Sequence, residues 1–450
     1  MNGSTNGSTN STMDSTTNVC MNLPPHLTVR DGRLHIGSHD TVALANKYGT
    51  PLYVTDEQRI RANFAAYHDA LTGYYDRVQM LYAAKANGNL AVLKVFADLG
   101  AGADVFSAGE LYLALVAGMN PEHLLFNGSS KTPDDLKLAV RKNVRVSLDS
   151  VDEMMQLNEV ARAMGATVEC SFRVNPAMEV PTHPKIATGL ATSKFGIPAG
   201  EIIDAYRAAV EATNIVPVGL HCHIGSQILD VAPFAEEAAV LVQVAKQITD
   251  LGVNLRFLDM GGGLGIPYNH MTEAAPTPQE YADAVMPVFM DGIEKAGIRP
   301  ALWVEPGRNL IGDSTVLLTR VNSVKRTHKA FVNVDAGFNL LARPVMYDAY
   351  HEVVVANKAE LAPVDRYTIT GPICETGDIL AHDRQLPEIE PGDLIAVLDA
   401  GAYGFSMSSQ YNSRPRCAEI MVNGGMEAPM RRAETIIDLR LTMEQLPWQR

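Results

Sequence analysis

The chain is expected to fold as an α/β barrel of the TIM type followed by a C-terminal all-β domain, on three observations. Short apolar runs alternate with helix-periodic stretches from about Pro51 to Pro306, which is the pattern of βα units around a parallel sheet. Lys85, Asp104, His223, Gly261 to Gly263 and Glu305 each fall at or just past the C-terminal end of a candidate strand, the face on which such barrels carry their chemistry. Beyond Gly307 the segments become short, rich in β-branched residues and divided by Pro/Gly turns, as in an all-β domain. A doubly wound sheet is the runner-up for the first part.

The elements follow in order. Residues 1–22 are mostly Asn, Gly, Ser and Thr and cannot bury enough apolar surface to order themselves, so a disordered tail is expected. The tail lacks the basic start and apolar core of a secretory signal, and its Asn-x-Ser/Thr matches are read as composition. Residues 23–50 form an N-terminal segment whose stretch 27–37 carries a hairpin-like Asp31-Gly32 turn and is expected to join the β domain from the other end of the chain. The barrel is set at 51–308, with strands expected at 79–84, 103–106, 123–126, 144–148, 167–174, 216–223, 255–260 and 300–304. Amphipathic stretches separate them. Residues 175–198 make a long Pro-containing connection after the fifth strand, a length that in barrels usually signals function. The β domain is set at 309–450, with strands at 315–326, 329–334, 366–370, 393–398 and 415–422.

Composition excludes several classes. A formal net charge of -14 argues against nucleic acid or an anionic membrane as partner, and no apolar run approaches a membrane span. The five cysteines are few, odd in number and scattered, which suits a reducing, cytoplasmic setting rather than a disulfide framework. Cys222 lies between two histidines, but in a strand His221 and His223 face one way and Cys222 the other, so no metal is expected there.

Four motifs carry chemistry: Tyr82-Ala83-Ala84-Lys85-Ala86-Asn87, His221-Cys222-His223-Ile224-Gly225-Ser226, Glu305-Pro306-Gly307-Arg308 and Gly371-Pro372-Ile373-Cys374-Glu375-Thr376-Gly377-Asp378. A lysine closing an apolar strand is expected to have a lowered pKa, suited to imine formation, or else to snorkel at the strand end. Gly261-Gly262-Gly263 can bring backbone N–H groups close to an anion, or form a plain tight turn. A dinucleotide fingerprint is weak there, because Ile266 stands where it wants Gly or Ala. Glu305 ends an apolar run and needs a cationic partner, and Cys374 is a thiol able to hand a proton to a carbanion.

In this order the motifs resemble the fold-type III decarboxylases that use pyridoxal 5'-phosphate (PLP), most closely the diaminopimelate decarboxylases, over about residues 30 to 425. The resemblance implies that Lys85 is the Schiff-base lysine, that His223 stacks on the cofactor ring and that Glu305 faces its pyridine nitrogen. It implies that Ser226, Gly263, Gly307 and Arg308 hold or flank the phosphate, that Asp104 and Glu110 belong to a further active-site strand, and that Tyr403 reaches cofactor and substrate. Cys374 would be the proton donor, supplied across a homodimer interface.

Charge logic bears on the substrate. Diaminopimelate ends in an ammonium and a carboxylate, so its site needs an acid plus basic groups. Glu375 suits the ammonium, and Arg308 and Arg343, with Tyr347 nearby, suit the carboxylate through planar guanidinium groups. His183 to Gly189, Ser193 to Gly196 and Tyr411 to Pro415 also look like the diaminopimelate enzymes, which commonly carry Ser where this chain has Thr376. The expected activity is therefore decarboxylation of meso-2,6-diaminopimelate to L-lysine. The alternatives are a related enzyme acting on D-ornithine, D-lysine or another basic amino acid, and a non-catalytic PLP-binding or regulatory protein.

Overall fold

The computed structural model describes residues 23–449; the expected tail at 1–22 lies outside them. Eight parallel strands close into a ring: Val78–Ala83, Gly102–Val105, Leu124–Phe126, Arg145–Leu148, Val168–Asn175, Ile215–Cys222, Phe257–Asp259 and Ala301–Val304. Each pairs with the next, and the eighth returns to the first through Leu302, Trp303 and Val304 against Val78, Gln79 and Met80. The ring settles the choice between a barrel and an open doubly wound sheet. All eight expected strands are present within a residue or two, because strands covered on both faces read as near-continuous apolar runs.

The helices between them follow from amphipathic spacing and caps. Pro278–Ala296, for example, buries Tyr281, Val285, Phe289 and Ile293 on one stripe. It opens on a Thr277/Glu280 capping box with Pro278 in the first turn, and it ends at Gly297 with φ 67°. Burying each of those side chains is worth about 1.5–3 kcal/mol.

The barrel interior is layered. Leu81, Leu125, Phe257 and Trp303 come from the first, third, seventh and eighth strands yet form one buried cluster, so they meet inside the ring. Phe257 and Trp303 stack with ring centroids 3.9 Å apart. Strand side chains alternate, so the residues two further on also point inward, one layer higher. Those are Ala83, Asn127, Asp259 and Glu305. An apolar plug thus supports a polar layer at the C-terminal face.

The second sheet joins Thr315–Arg326, Ala330–Val334, Asp365–Thr370, Ile379–Leu386, Ala418–Asn423 and Met426–Arg431, with Leu394–Val397 and Val353–Val355 attached through Thr315–Arg326. Leu52–Asp56 also belongs here, which corrects the expected barrel start at residue 51. It lies between Thr315–Arg326 and Ala418–Asn423, with every residue buried. The barrel therefore begins at the helix Glu57–Thr72. The N-terminal hairpin forms its own small sheet, Leu27–Arg30, Arg33–Ile36 and His39–Asp40. It packs on the β domain through Leu27, Leu34 and Ile36, with Leu34 N–H donating to the Ala356 carbonyl at 2.8 Å. No helix among the described residues is long and apolar enough to cross a membrane.

Candidate active site

At the C-terminal face of the barrel a cavity of about 370 Å³ is lined by Lys85, His223, Ser226, Gly263, Glu305, Gly307, Arg308, Arg343, Tyr347 and Tyr403. Ten sequence-selected residues thus meet in one place, although they are spread over more than 300 positions. Asp104, fully buried, stands directly behind Lys85. Lys85 itself sits on the single turn Ala84–Ala86 that follows the first strand.

The charges of this floor are interlocked. Lys85 Nζ donates to Asp104 and lies 4.4 Å from the centre of the Phe106 ring. Asn127 Nδ2 bridges Asp104 Oδ1 at 2.7 Å and Glu305 Oε1 at 2.6 Å. Burial alone would depress the Lys85 ammonium, but Asp104, Tyr403 and Glu305 outweigh it and raise its pKa. The lowered pKa expected for this lysine is therefore overturned: two carboxylates converge on it. Burial, then Glu305, push Asp104 upward, against the pull of Lys85. For Glu305, burial is more than offset by His221, Lys85 and His223, which keep its carboxyl well below the usual range.

The two histidines separate as the strand alternation only partly anticipates. His221 turns down beside Glu305 and Asp259, the three offering ligand atoms within 4.8 Å of one another. Its Nδ1 meets Ser147 Oγ at 3.0 Å. His223 instead faces the cavity and accepts at Nδ1 from Gly262 N–H at 3.2 Å, so its proton sits on Nε2. Burial, then Arg173 and Lys85, keep it neutral.

One end of the cavity suits an anion. Ser226 Oγ accepts from Arg308 Nη2 at 2.9 Å, and Gly263 and Gly307 form the rim. At Gly263 φ is +126°, and a Cβ there would fall 2.6 Å from the Gly225 carbonyl oxygen, so only glycine keeps this rim open. An amine at the far side, an ionised carboxylate on the floor, a neutral imidazole along one face and a glycine-lined cationic end together match the aldehyde, ring nitrogen, ring face and phosphate of PLP. The residue set fits that cofactor.

The adjoining wall is cationic and aromatic, with Arg308 shared between it and the Ser226 end. Arg343 and Arg308 are both buried, and Tyr403 lies 4.8 Å beneath the Arg308 guanidinium. Tyr403 has φ 58°, in the left-handed region that a non-glycine residue occupies at a cost of about 1–3 kcal/mol, and its N–H is tied to the Ala86 carbonyl at 2.8 Å, one residue from Lys85.

Cys374 and Glu375 do not join this set within one chain. Both are exposed, on a loop of the β domain that Asp378 fixes by accepting from Ile373 and Phe338 N–H, each at 2.7 Å. Cys374 N–H donates to Asn412 at 2.8 Å, and Tyr411 Oη donates to Glu375 at 2.7 Å, so the pair is presented outward on a braced loop. Glu110 also serves elsewhere, accepting from Phe106 N–H at 2.7 Å at a helix start.

Sequence reasoning missed Asn127 and Arg173. Asn127 follows the third strand directly, the same positional signal that selected Asp104 and Glu305. Arg173 is 4% exposed inside an apolar run of the fifth strand, with its guanidinium 4.6 Å from the Phe195 ring. The long connection after that strand contributes Lys185, Ile186, Thr188 and Phe195 to the cavity wall.

Comparison with known proteins agrees with the geometry. Residues 57–312 match the family model for the pyridoxal-dependent decarboxylase, pyridoxal binding domain, and its start coincides with the corrected barrel boundary. The chain is 49% identical to the diaminopimelate decarboxylase of Archaeoglobus fulgidus over 93% of its own length and 98% of that relative's. It is 44% identical to the enzyme of Methanothermobacter thermautotrophicus, covering 92% and 96%. Among solved structures, diaminopimelate decarboxylase from M. jannaschii in complex with L-lysine superposes with TM-score 0.89 at 36% identity, over 94% of this chain and 99% of that one. The Helicobacter pylori enzyme complexed with L-lysine gives TM-score 0.84 at 36% identity, over 89% and 98%. With a closed barrel, a floor built for PLP and this similarity along nearly its whole length, the chain belongs to the diaminopimelate decarboxylase family of PLP-dependent decarboxylases.

Proposed function

We propose that the chain decarboxylates meso-2,6-diaminopimelate to L-lysine and carbon dioxide, the last step of lysine biosynthesis, as a PLP-dependent homodimer. The observation that carries this reading is one cavity that joins a PLP-shaped floor to two buried guanidinium groups. A substrate whose distal end is an amine alone, such as ornithine, would be repelled there by Arg308 and Arg343, whereas a distal carboxylate is drawn to them.

PLP, when bound, supplies an electron sink that stabilises the carbanion left when a Cα carboxylate departs. Lys85 would hold it covalently, with Asp104 beside Nζ to take or return the proton that the amine sheds. Glu305, kept ionised, would hold a proton on the ring nitrogen. His223, kept neutral, would cover a face of the ring. Arg343 and Arg308 fix the distal end of the substrate, so that the scissile end lies over the floor.

A proton must then reach Cα, and no thiol among the described residues of the same chain lines the cavity. The partner subunit's Cys374 fills that role, and the partner subunit's Glu375 takes the distal ammonium. The outward presentation of the braced loop supports this reading. An exposed catalytic thiol also favours the reducing cytoplasm, where it escapes oxidation.

The test is carbon dioxide release by purified protein with PLP on meso-diaminopimelate, L-ornithine, L-lysine and D-lysine in parallel. Release from diaminopimelate alone, with an equal amount of L-lysine formed, is expected. Release only from another amino acid would discard the substrate assignment and keep the chemistry.

A further inference from the structure

Arg343 is held by two side chains that have no role in the reading above. It opens the five-residue helix Arg343–Tyr347, too short to orient a long side chain unaided. Its Nη1 lies 2.8 Å from His351 Nε2, and its guanidinium lies 4.1 Å over the centre of the Tyr268 ring. His351 is 0% exposed, and its Nδ1 lies 2.8 Å from the Leu398 carbonyl oxygen. A carbonyl only accepts and a guanidinium only donates, so the proton must sit on Nδ1 and the lone pair on Nε2. His351 is therefore a neutral imidazole in one tautomer, locked between the backbone and Arg343. Tyr268 meets the His351 ring edge-on, with centroids 5.1 Å apart, and its Oη accepts from Arg308 Nη1 at 2.8 Å. One tyrosine and one histidine thus tie together the two arginines at the substrate end.

A guanidinium left to itself presents its five donors in any direction that its four-bond stem allows. The lone pair of His351 engages one edge, and the Tyr268 ring fixes the plane. The remaining N–H groups stay available to a carboxylate in the cavity. We propose that His351 and Tyr268 are positioning residues, which orient Arg343 for bidentate capture of a substrate's distal carboxylate and so set the preference for an amino acid that carries one. The inference rests on the reading of Arg343 as the carboxylate anchor.

His351→Asn and His351→Gln separate this role from simple packing. Asn keeps a donor to Leu398 but is too short to meet Arg343; Gln keeps an acceptor near the position of Nε2. Steady-state kinetics on meso-diaminopimelate should show KM raised about tenfold to a hundredfold in His351→Asn, the loss expected for a hydrogen bond to a charged group. kcat and PLP content, read from visible absorbance, should stay near wild type. His351→Gln should return KM to within about threefold of wild type, because the acceptor is restored. Equal KM in the two folded variants, or a fall in kcat with KM unchanged, would overturn the proposal. If His351→Asn does not fold, Tyr268→Leu supplies the second reading, and it must raise KM in the same way. Arg343→Ala is the control. A normal KM in that variant sinks the anchor itself, whereas a large rise there beside an unchanged His351→Asn sinks only the positioning role.

Discussion

At Lys85 burial and charge act in opposite directions, and the outcome depends on neighbours that no local stretch of sequence shows. A lysine at the end of a buried strand should lose its charge, yet Asp104 and Glu305 keep it. The residue types at the site were legible because each closes an apolar run, but the sign of this pKa shift was not, since it comes from side chains 19 and 220 positions away. Glu305 is the residue whose charge matters most. Glu305→Gln keeps its size and removes the charge, and kcat should fall about 10²–10³-fold with PLP content unchanged by visible absorbance, the scale of losing one preorganised electrostatic contact. An undiminished kcat would remove Glu305 from the mechanism. Glu237 offers a stability test away from the cavity. It is 0% exposed in the helix Ala232–Asp250, next to Cys222, and burial raises its carboxyl pKa well above the usual range. The folded state then binds more protons than the unfolded one once pH exceeds the unfolded carboxyl value of about 4.3, so stability drops as pH rises from there toward the folded value. Glu237→Gln should flatten that decline, seen as a smaller loss of urea midpoint between about pH 5 and about pH 8. An identical slope in both proteins would show that Glu237 is not the titrating group.

Among the elements, Leu52–Asp56 shows where sequence patterning stops. The expected barrel start at residue 51 took in Leu52–Asp56, because apolar periodicity cannot distinguish one buried sheet from another. Pairing decides it. The strand runs antiparallel to Thr315–Arg326 and parallel to Ala418–Asn423, both more than 250 residues away. It therefore stitches the start of the described chain into the β domain before the barrel begins. Leu52, 0% exposed, should be as costly to truncate as a core residue. Leu52→Ala is expected to lower unfolding free energy by about 2–5 kcal/mol in urea denaturation, with the PLP absorbance of the native state retained. A change of less than about 1 kcal/mol would mean that the strand is peripheral. The strands of the barrel were legible for the same reason that the boundary at residue 51 was misplaced: strands covered on both faces announce burial but not their partners.

For the whole molecule, the decisive fact is that Cys374 and Glu375 are exposed on the β domain and do not line the cavity of their own chain. If two copies complete each other, mixing inactive variants must restore activity. Lys85→Ala and Cys374→Ala, unfolded together and refolded at equal amounts, should recover about a quarter of wild-type turnover, because half the dimers are mixed and each of those carries one intact site. Refolding each variant alone should recover none. No recovery in the mixture, with dimers present by sedimentation, would place the proton donor within a single chain. What the sequence determined by itself was the architecture and the chemical vocabulary: eight apolar runs for a barrel, a change to β-branched segments after Gly307, and reactive residues at strand ends. These are local properties, written in periodicity and in the chain positions of Lys85, His223 and Glu305. Only the tertiary structure decided which sheet received Leu52–Asp56, that Asp104 and Glu305 keep Lys85 charged, that Asn127 joins them, and that Tyr268 and His351 hold the arginines. Each of those depends on groups far apart in the chain meeting in space, and burial, pairing and electrostatics act through distance in space rather than along the sequence.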